Sequence, residues 1–311
     1  MSETFRVGLV GCGRVAELGY VPALTRARGV RLVAVADPAR ERCERVAPRV
    51  PRYQSARALI AEQAVDGLVL ATPAAAHLED ARLAASAGLA VLVEKPPAVD
   101  RADAAALAAL EPSPLVGFNR RFDPPIQRLR EAVPGSGRIE LTLDLHYERN
   151  AWGSYVVRDD VLLAHGTHLV DLVRWVTRSE IERVRADSLA PAAAVIELEL
   201  ERGRARISCA TDRPRRDAIE IRDETGTLLA RHERLGLVRR VQMRLRGGSS
   251  LVRLLVDELE AFAAVARGQA QPLLATAVDG LAVMAAIDGV RRSAQLGGSW
   301  CAVDAAGSER A

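Results

Sequence analysis

A chain of 311 residues, 49% hydrophobic and 27% charged, is long enough for two domains of ordinary size and can fill a core in each. Its formal charge is only +3, and arginines alternate with acids as in Glu41-Arg42-Cys43-Glu44-Arg45; this fits solvated helix faces and argues against a nucleic-acid partner. No apolar run approaches the ~20 residues of a membrane span, and the first strand begins too early to leave room for a signal peptide, so a cytoplasmic protein is expected.

The N-terminal third alternates short apolar runs with alanine-rich amphipathic stretches. Residues 6–10, 31–36, 66–71, 90–93 and 115–118 read as buried strands, and 75–87 and 101–110 as helices. This order predicts an α/β fold with a doubly wound parallel sheet over residues 1–118. Directly after the first strand comes Gly11-Cys12-Gly13-Arg14-Val15-Ala16. The first glycine permits a tight turn, the second lets backbone approach a pyrophosphate, and Ala16 allows close helix–strand packing. Arg14 and Val15 open the helix whose free N–H groups would face the phosphates. Asp37 ends the second strand about twenty residues further on, where a carboxylate accepts ribose hydroxyls. Its charge favours NAD; Arg14 or Arg40 could reach a 2′-phosphate, which keeps NADP open.

Lys95 is the chain's single lysine among 43 basic residues. Arginine has replaced lysine wherever a generic positive charge serves, but it cannot replace a compact ammonium whose proton affinity shifts on burial. Lys95 follows the apolar run Val91-Leu92-Val93-Glu94, and ligands of open parallel sheets bind beyond the carboxyl ends of strands. It is therefore a catalytic candidate; a lysine snorkelling at a strand end is the structural alternative. The following Pro96 and Pro97 would fix the loop, with a cis Lys95–Pro96 bond as a minor expectation.

Beyond residue 119 the pattern changes. Residues 139–147, 193–200, 205–210 and 218–222 alternate apolar and polar side chains, as half-buried antiparallel strands do. Glu201-Arg202-Gly203-Arg204 and Asp223-Glu224-Thr225-Gly226 read as hairpin turns, residues 159–176, 252–266 and 275–294 as helices, and 239–250 as an exposed loop. A second domain over 119–311 is predicted, α+β with an open, largely antiparallel sheet, its last helix apolar enough to pack back on the first domain. Four scattered cysteines show no zinc or disulfide pattern, and His165, His168 and Asp171 lack a fourth partner at metal-binding spacing, so no metal is expected.

With these residues in place, the chain resembles the Gfo/Idh/MocA family of sugar and cyclitol oxidoreductases. The resemblance rests, in order, on the glycine turn, Asp37, Ala71-Thr72-Pro73 with His77, Glu94-Lys95-Pro96, Gly117-Phe118-Asn119-Arg120-Arg121-Phe122-Asp123 and Gly166-Thr167-His168-Leu169-Val170-Asp171. It implies a Rossmann domain joined to an open-sheet domain, assembled as a homodimer or homotetramer through that sheet. The implied activity is NAD(P)-dependent hydride transfer to or from a sugar, cyclitol or sugar-like small molecule. Lys95 then matches the family lysine beside nicotinamide and substrate, and His168 the histidine that moves the hydroxyl proton. Thr72, Pro73, His77 and Glu94 match its cofactor-lining segments, although His77 reads equally as a helix-start residue. Arg121 is the favoured substrate contact, with a salt bridge clamping the two domains as its alternative; Asn119, Tyr147, Asn150, Tyr155 and His165 join it, near Trp152. One departure stands out: family members carry an aspartate where this chain has Ala164, and His165 or Asp160 is the available substitute. Imine reduction, net redox-neutral chemistry on retained NAD, and a non-catalytic dinucleotide sensor are the rival functions.

Overall fold

Six strands from the N-terminal part of the chain and one from residues 275–276 form a seven-stranded sheet with order β13-β6-β5-β4-β1-β2-β3. The computed structural model describes residues 4–147, 160–233 and 250–304. Strands β1 (Phe5–Val10), β2 (Val30–Ala36), β3 (Arg52–Tyr53), β4 (Gly67–Leu70), β5 (Ala90–Glu94) and β6 (Leu115–Gly117) run parallel, and β13 (Ala275–Thr276) closes the edge antiparallel to β6. Strand order reverses between β1 and β4, so the loops leaving these two strands diverge around a crevice, the usual ligand position in such sheets.

Between the strands lie a π-turn (Ala16–Tyr20) running into α1 (Val21–Leu24), α2 (Arg40–Val46), α3 (Ala56–Glu62), α4 (Ala74–Ser86) and α5 (Arg101–Ala108). Ser55 caps α3 through the Ala58 N–H and Asp100 caps α5 through the Asp103 N–H. Helix α2 carries the charged run 41–45 on its solvated face and buries only Cys43 and Val46, while α3 lies in a stretch where no helix is expected.

Two compact units result, Met1–Phe122 with Gly248–Gly280, and Asp123–Gly247 with Leu281–Ala311. A single cut after residue 118 thus misses a segment that returns to the first unit. The reason is α8 (Ser250–Ala266), whose Leu255, Leu259 and Phe262 are fully buried in one cluster with Phe5, Val7 and Tyr20. Phe262 meets Phe5 edge-on, with ring centroids 5.4 Å apart.

The second unit contains a mixed sheet of order β12-β11-β7-β10-β9-β8-β14. Its strands are β7 (Ile139–His146), β8 (Ile181–Ala190), β9 (Ala193–Leu200), β10 (Gly203–Ala210), β11 (Arg216–Asp223), β12 (Leu228–Glu233) and β14 (Cys301–Ala302). Only β7 and β10 pair in parallel; every other neighbouring pair is antiparallel. Both expected hairpin turns are present, joining β9 to β10 and β11 to β12. One sheet face buries Leu141, Leu143, Ile196, Leu198, Ile207 and Ile219. The other carries cross-strand ion pairs, Arg185–Glu197 at 2.9 Å, Arg206–Glu197 at 2.7 Å and Arg216–Asp144 at 2.7 Å among them. Helices α6 (Pro124–Ala132), α7 (Thr167–Thr177) and α9 (Ala277–Gln295) lie in the rest of the described residues. No described helix is long and apolar enough to cross a membrane. Asn150, Trp152, Tyr155 and most of the 239–250 loop lie outside the described residues.

Candidate active site

The glycine turn is set by contact between the loops leaving β1 and β4. Gly11 has φ +93°, and a Cβ there would stand 2.6 Å from the Ala71 carbonyl, so only glycine lets the two loops meet. Gly13 is the opposite case: a Cβ would find nothing within 4 Å. That open space beside the helix start is what a pyrophosphate needs. Ala16 is fully buried where the helix approaches the strand.

Asp37 is 5% exposed, and its two oxygens accept the Cys12 N–H and the Ala39 N–H, each at 2.9 Å. Each oxygen keeps a second acceptor site for a hydroxyl. The carboxylate therefore braces the glycine turn while bordering a cavity of about 350 Å³ lined also by Arg40, Arg52, Tyr53 and Gln54. Size and chemistry fit the ribose end of a dinucleotide. Cys12 points inward, its Sγ 3.6 Å from the Cys43 Sγ, and burial pushes its thiol far up. Arg14 pairs with Glu17 at 3.3 Å and Arg40 with Glu44 at 3.0 Å; Val15 is half-buried. Arg52 also lines the cavity, and nothing in its sequence neighbourhood marks it for that place.

The β4 and β5 loops are tied by His77, which is 1% exposed in α4. Its Nε2 lies 2.9 Å from the Thr72 carbonyl and its Nδ1 3.1 Å from the Pro97 carbonyl. A neutral ring donates to one of these acceptors; only the imidazolium donates to both. His77 is thus a brace between two loops, while Thr72 and Pro73 are the partly exposed residues of this segment. Asp80, one turn further along α4, has its pKa raised to about 6 by burial first and the nearby Glu79 second.

Lys95 is half-buried at the end of β5, and the Lys95–Pro96 bond is cis. Glu94 turns away from the crevice: its Oε1 is 3.3 Å from the Tyr20 hydroxyl and its Oε2 accepts the Lys95 N–H at 2.6 Å. Asn119 and Arg121 lie in a buried 3₁₀ turn, Asn119–Phe122. The Arg121 Nη1 is 3.4 Å from the Asp279 Oδ2, an oxygen that also accepts the Thr276 N–H. Arg121 thus has an ion pair inside its own unit, whereas the alternative expected of it is a bridge between domains.

In the second unit Asp160 precedes the His168 helix. Its Oδ1 accepts the Leu163 N–H at 2.9 Å and its Oδ2 pairs with Arg291 at 3.2 Å, which commits this carboxylate to the helix start. The helix then opens with a π-turn, Leu162–Gly166, in which the Thr167 N–H reaches back to the Leu162 carbonyl. The wide turn breaks the regular three-residue spacing read from the sequence. His165 is buried against Tyr147, with ring centroids 4.1 Å apart, and Asp171 is buried too, whereas His168 stays half-exposed in the first turn of α7. Ala164 is 8% exposed.

Sequence reasoning passed over two buried polar residues, Tyr20 and Glu258. Glu258 had a signal: it falls at helical spacing among Leu254, Leu255, Leu259 and Phe262, on the apolar stripe of α8.

Residues 5–114 match the Gfo/Idh/MocA model, an oxidoreductase family with an NAD-binding Rossmann fold. The chain is similar to the rhizopine catabolism protein MocA of Rhizobium meliloti, 30% identical over 185 residues that cover 57% of this chain and 58% of that protein. It is also similar to an inositol 2-dehydrogenase of Corynebacterium glutamicum, 30% identical over 224 residues covering 64% and 65%. The chain thus spans less than two thirds of the length of these curated relatives. Among solved structures, the WlbA dehydrogenase from Bordetella pertussis, in complex with NADH and UDP-GlcNAcA, matches with TM-score 0.81 at 20% identity over 98% of this chain and 99% of that one. The myo-inositol dehydrogenase from Lactobacillus casei, in complex with NAD(H) and myo-inositol, matches with TM-score 0.78 at 17% identity over 99% of both. At these identities the structural likeness is one of fold. Through its Rossmann segment, residues 5–114, the chain is similar to the Gfo/Idh/MocA oxidoreductases, a family with an NAD-binding fold.

Proposed function

We propose that the chain is an NAD(H)-dependent oxidoreductase acting on a hydroxyl or ketone carbon of a sugar, cyclitol or similar compound. One observation carries the reading: the only lysine stands at the carboxyl end of β5, on the sheet edge that also bears the Gly11 and Thr72 loops. The inositol dehydrogenases and the rhizopine protein among its relatives support a polyol-like substrate. Asp37 beside the ribose cavity favours NAD over NADP.

When bound, the nicotinamide supplies or accepts the hydride. Lys95 would hold the substrate oxygen and stabilise the negative charge that develops on it. His168 would take or return the hydroxyl proton, work suited to an imidazole near neutral pH. Asn119, Tyr147 and His165 would orient the substrate, and Arg121 would act from its ion pair with Asp279. Ala164 lacks the carboxylate that family members carry at this position, and Asp160 is committed to Leu163 and Arg291. Ketone or imine reduction, or a substrate bringing its own polar group, suits that arrangement. The reading includes self-assembly through the open sheet, which would be polar and salt-sensitive because its outer face carries ion pairs. Its compartment would be the cytoplasm, which four free, buried thiols fit.

Lys95→Ala should keep dinucleotide affinity, read by NADH fluorescence, and lower turnover by at least ~100-fold. Full activity in that variant would remove the mechanism. A second reading, a dinucleotide sensor without turnover, is favoured by Ala164 alone. NADH that binds tightly yet is never oxidised across a panel of keto-sugars, ketocyclitols and imines would select it.

A further inference from the structure

Behind Lys95 lies an enclosed group of three side chains that hydride transfer does not use. Tyr20 from the π-turn and Glu258 from α8 are 0% exposed, and Glu94 at the end of β5 is 6% exposed. The Tyr20 Oη is 3.3 Å from the Glu94 Oε1, while the Glu94 Oε2 holds the Lys95 N–H at 2.6 Å. Gly117 on β6 walls the group: a Cβ there would come within 3.3 Å of the Tyr20 Oη and 3.5 Å of the Glu94 Cα. Among the described residues, neither Glu258 oxygen has a completed hydrogen bond; the Tyr20 hydroxyl and the Glu94 carboxyl are its polar neighbours. The charge of Lys95 acts on Glu94, and the charge of Glu94 acts on Glu258.

Two carboxylates sharing one dry space do not both ionise. Glu94 has the better set for a negative charge: a backbone N–H, a phenol and a nearby ammonium. Glu258 has only the phenol, and Tyr20 carries one proton to donate. Two arrangements complete the chain of hydrogen bonds, and the donors around Glu94 select the one that keeps the charge there. Glu258 donates its acid proton to the Tyr20 oxygen, Tyr20 donates to Glu94, and Glu94 accepts from Lys95 N–H. An ionised Glu258 would compete for the one phenolic proton and leave a buried charge unpaired.

We propose that Glu258 is a protonated positioning residue which, through Tyr20, keeps the cluster's one negative charge on Glu94, where it holds Lys95 cationic. Burial pushes both acids upward; Lys95 pulls Glu94 back, whereas the charge of Glu94 adds to the effect of burial on Glu258. The role rests on the reading of Lys95 as the group that holds the reacting oxygen.

A single lysine makes the test direct. Isotopic reductive methylation labels one ε-amine, and its resonance titrates with Lys95. Replacing the anion, Glu94→Gln, should lower that pKa by at least about one unit. Glu258→Gln, a neutral donor of similar shape, should move it by less than about half a unit. In the infrared, the native protein at neutral pH should show the carbonyl stretch of a protonated carboxyl that persists in Glu94→Gln and disappears in Glu258→Gln. The proposal is overturned if the native protein lacks this band, if the band goes with Glu94 instead, or if Glu94→Gln leaves the Lys95 titration in place. Should Glu258→Gln fail to fold, the native and Glu94→Gln spectra still decide. None of these measurements needs turnover, so an inactive protein with every expected signature would sink the oxidoreductase reading and leave the cluster standing.

Discussion

Asp37 has two kinds of partner, and removing it should separate them. Its oxygens hold the Cys12 and Ala39 N–H groups, so they shape the turn before any ligand arrives. Its charge also borders the adjoining cavity, where on the proposed reading it would repel a 2′-phosphate. Asp37→Ser should raise the ratio of kcat/KM with NADP to that with NAD at least ~10-fold, a change worth about 1.4 kcal/mol. It should also lower stability by roughly 1–3 kcal/mol through the lost turn contacts. A variant that lost stability without changing its preference would make Asp37 a turn brace only. His77 teaches the same caution. It reads equally as a cofactor-lining or a helix-start histidine, and both ring nitrogens face main-chain carbonyls of the loops it joins.

At the scale of elements, α8 decides where the first unit ends. The helix is apolar along one stripe, a pattern that announces burial without naming the surface that receives it. Phe262 shows what receives it, through its edge-on contact with Phe5 of β1. Phe262→Ala should cost roughly 3–5 kcal/mol in denaturant unfolding, the range for a large aromatic removed from a closed core. A loss below ~1 kcal/mol would mean that α8 adds little to the first unit. Strand β8 shows why regular elements escape a reading by periodicity. Register shifts between Ile181 and Arg183, and between Ala186 and Ser188, break the two-residue alternation that marks a half-buried strand. Strand β12 is hidden for another reason: it is a sheet edge with no fully buried residue.

For the molecule as a whole, the buried acids set the direction in which stability changes with pH. Glu258 is held above its ordinary value of 4.5 by burial first and by Glu94 second. Above that pH the unfolded chain has released a proton that the folded chain keeps. Stability from this group is therefore full below 4.5 and is lost as pH rises toward the folded pKa, by about 1.4 kcal/mol per pH unit. Urea midpoints followed from pH ~5 to ~8 should fall for the native protein, and Glu258→Gln should flatten that fall by about one proton. An identical slope in the variant would mean that Glu258 is ionised in the fold.

The dinucleotide turn, the terminal aspartate of β2 and the single lysine were legible because each is contiguous in the chain and its chemistry follows from local backbone geometry. So were the strand–helix alternation and the hairpin turns, which depend on short-range periodicity. Tertiary structure alone decided where Glu94 points, that Arg121 meets Asp279, that Asp160 is taken up by a helix start, and that Glu258 shares a closed space with Tyr20 and Glu94. These facts depend on segments far apart in sequence arriving at one place. Burial, which sets where a proton resides, comes into being only when they do.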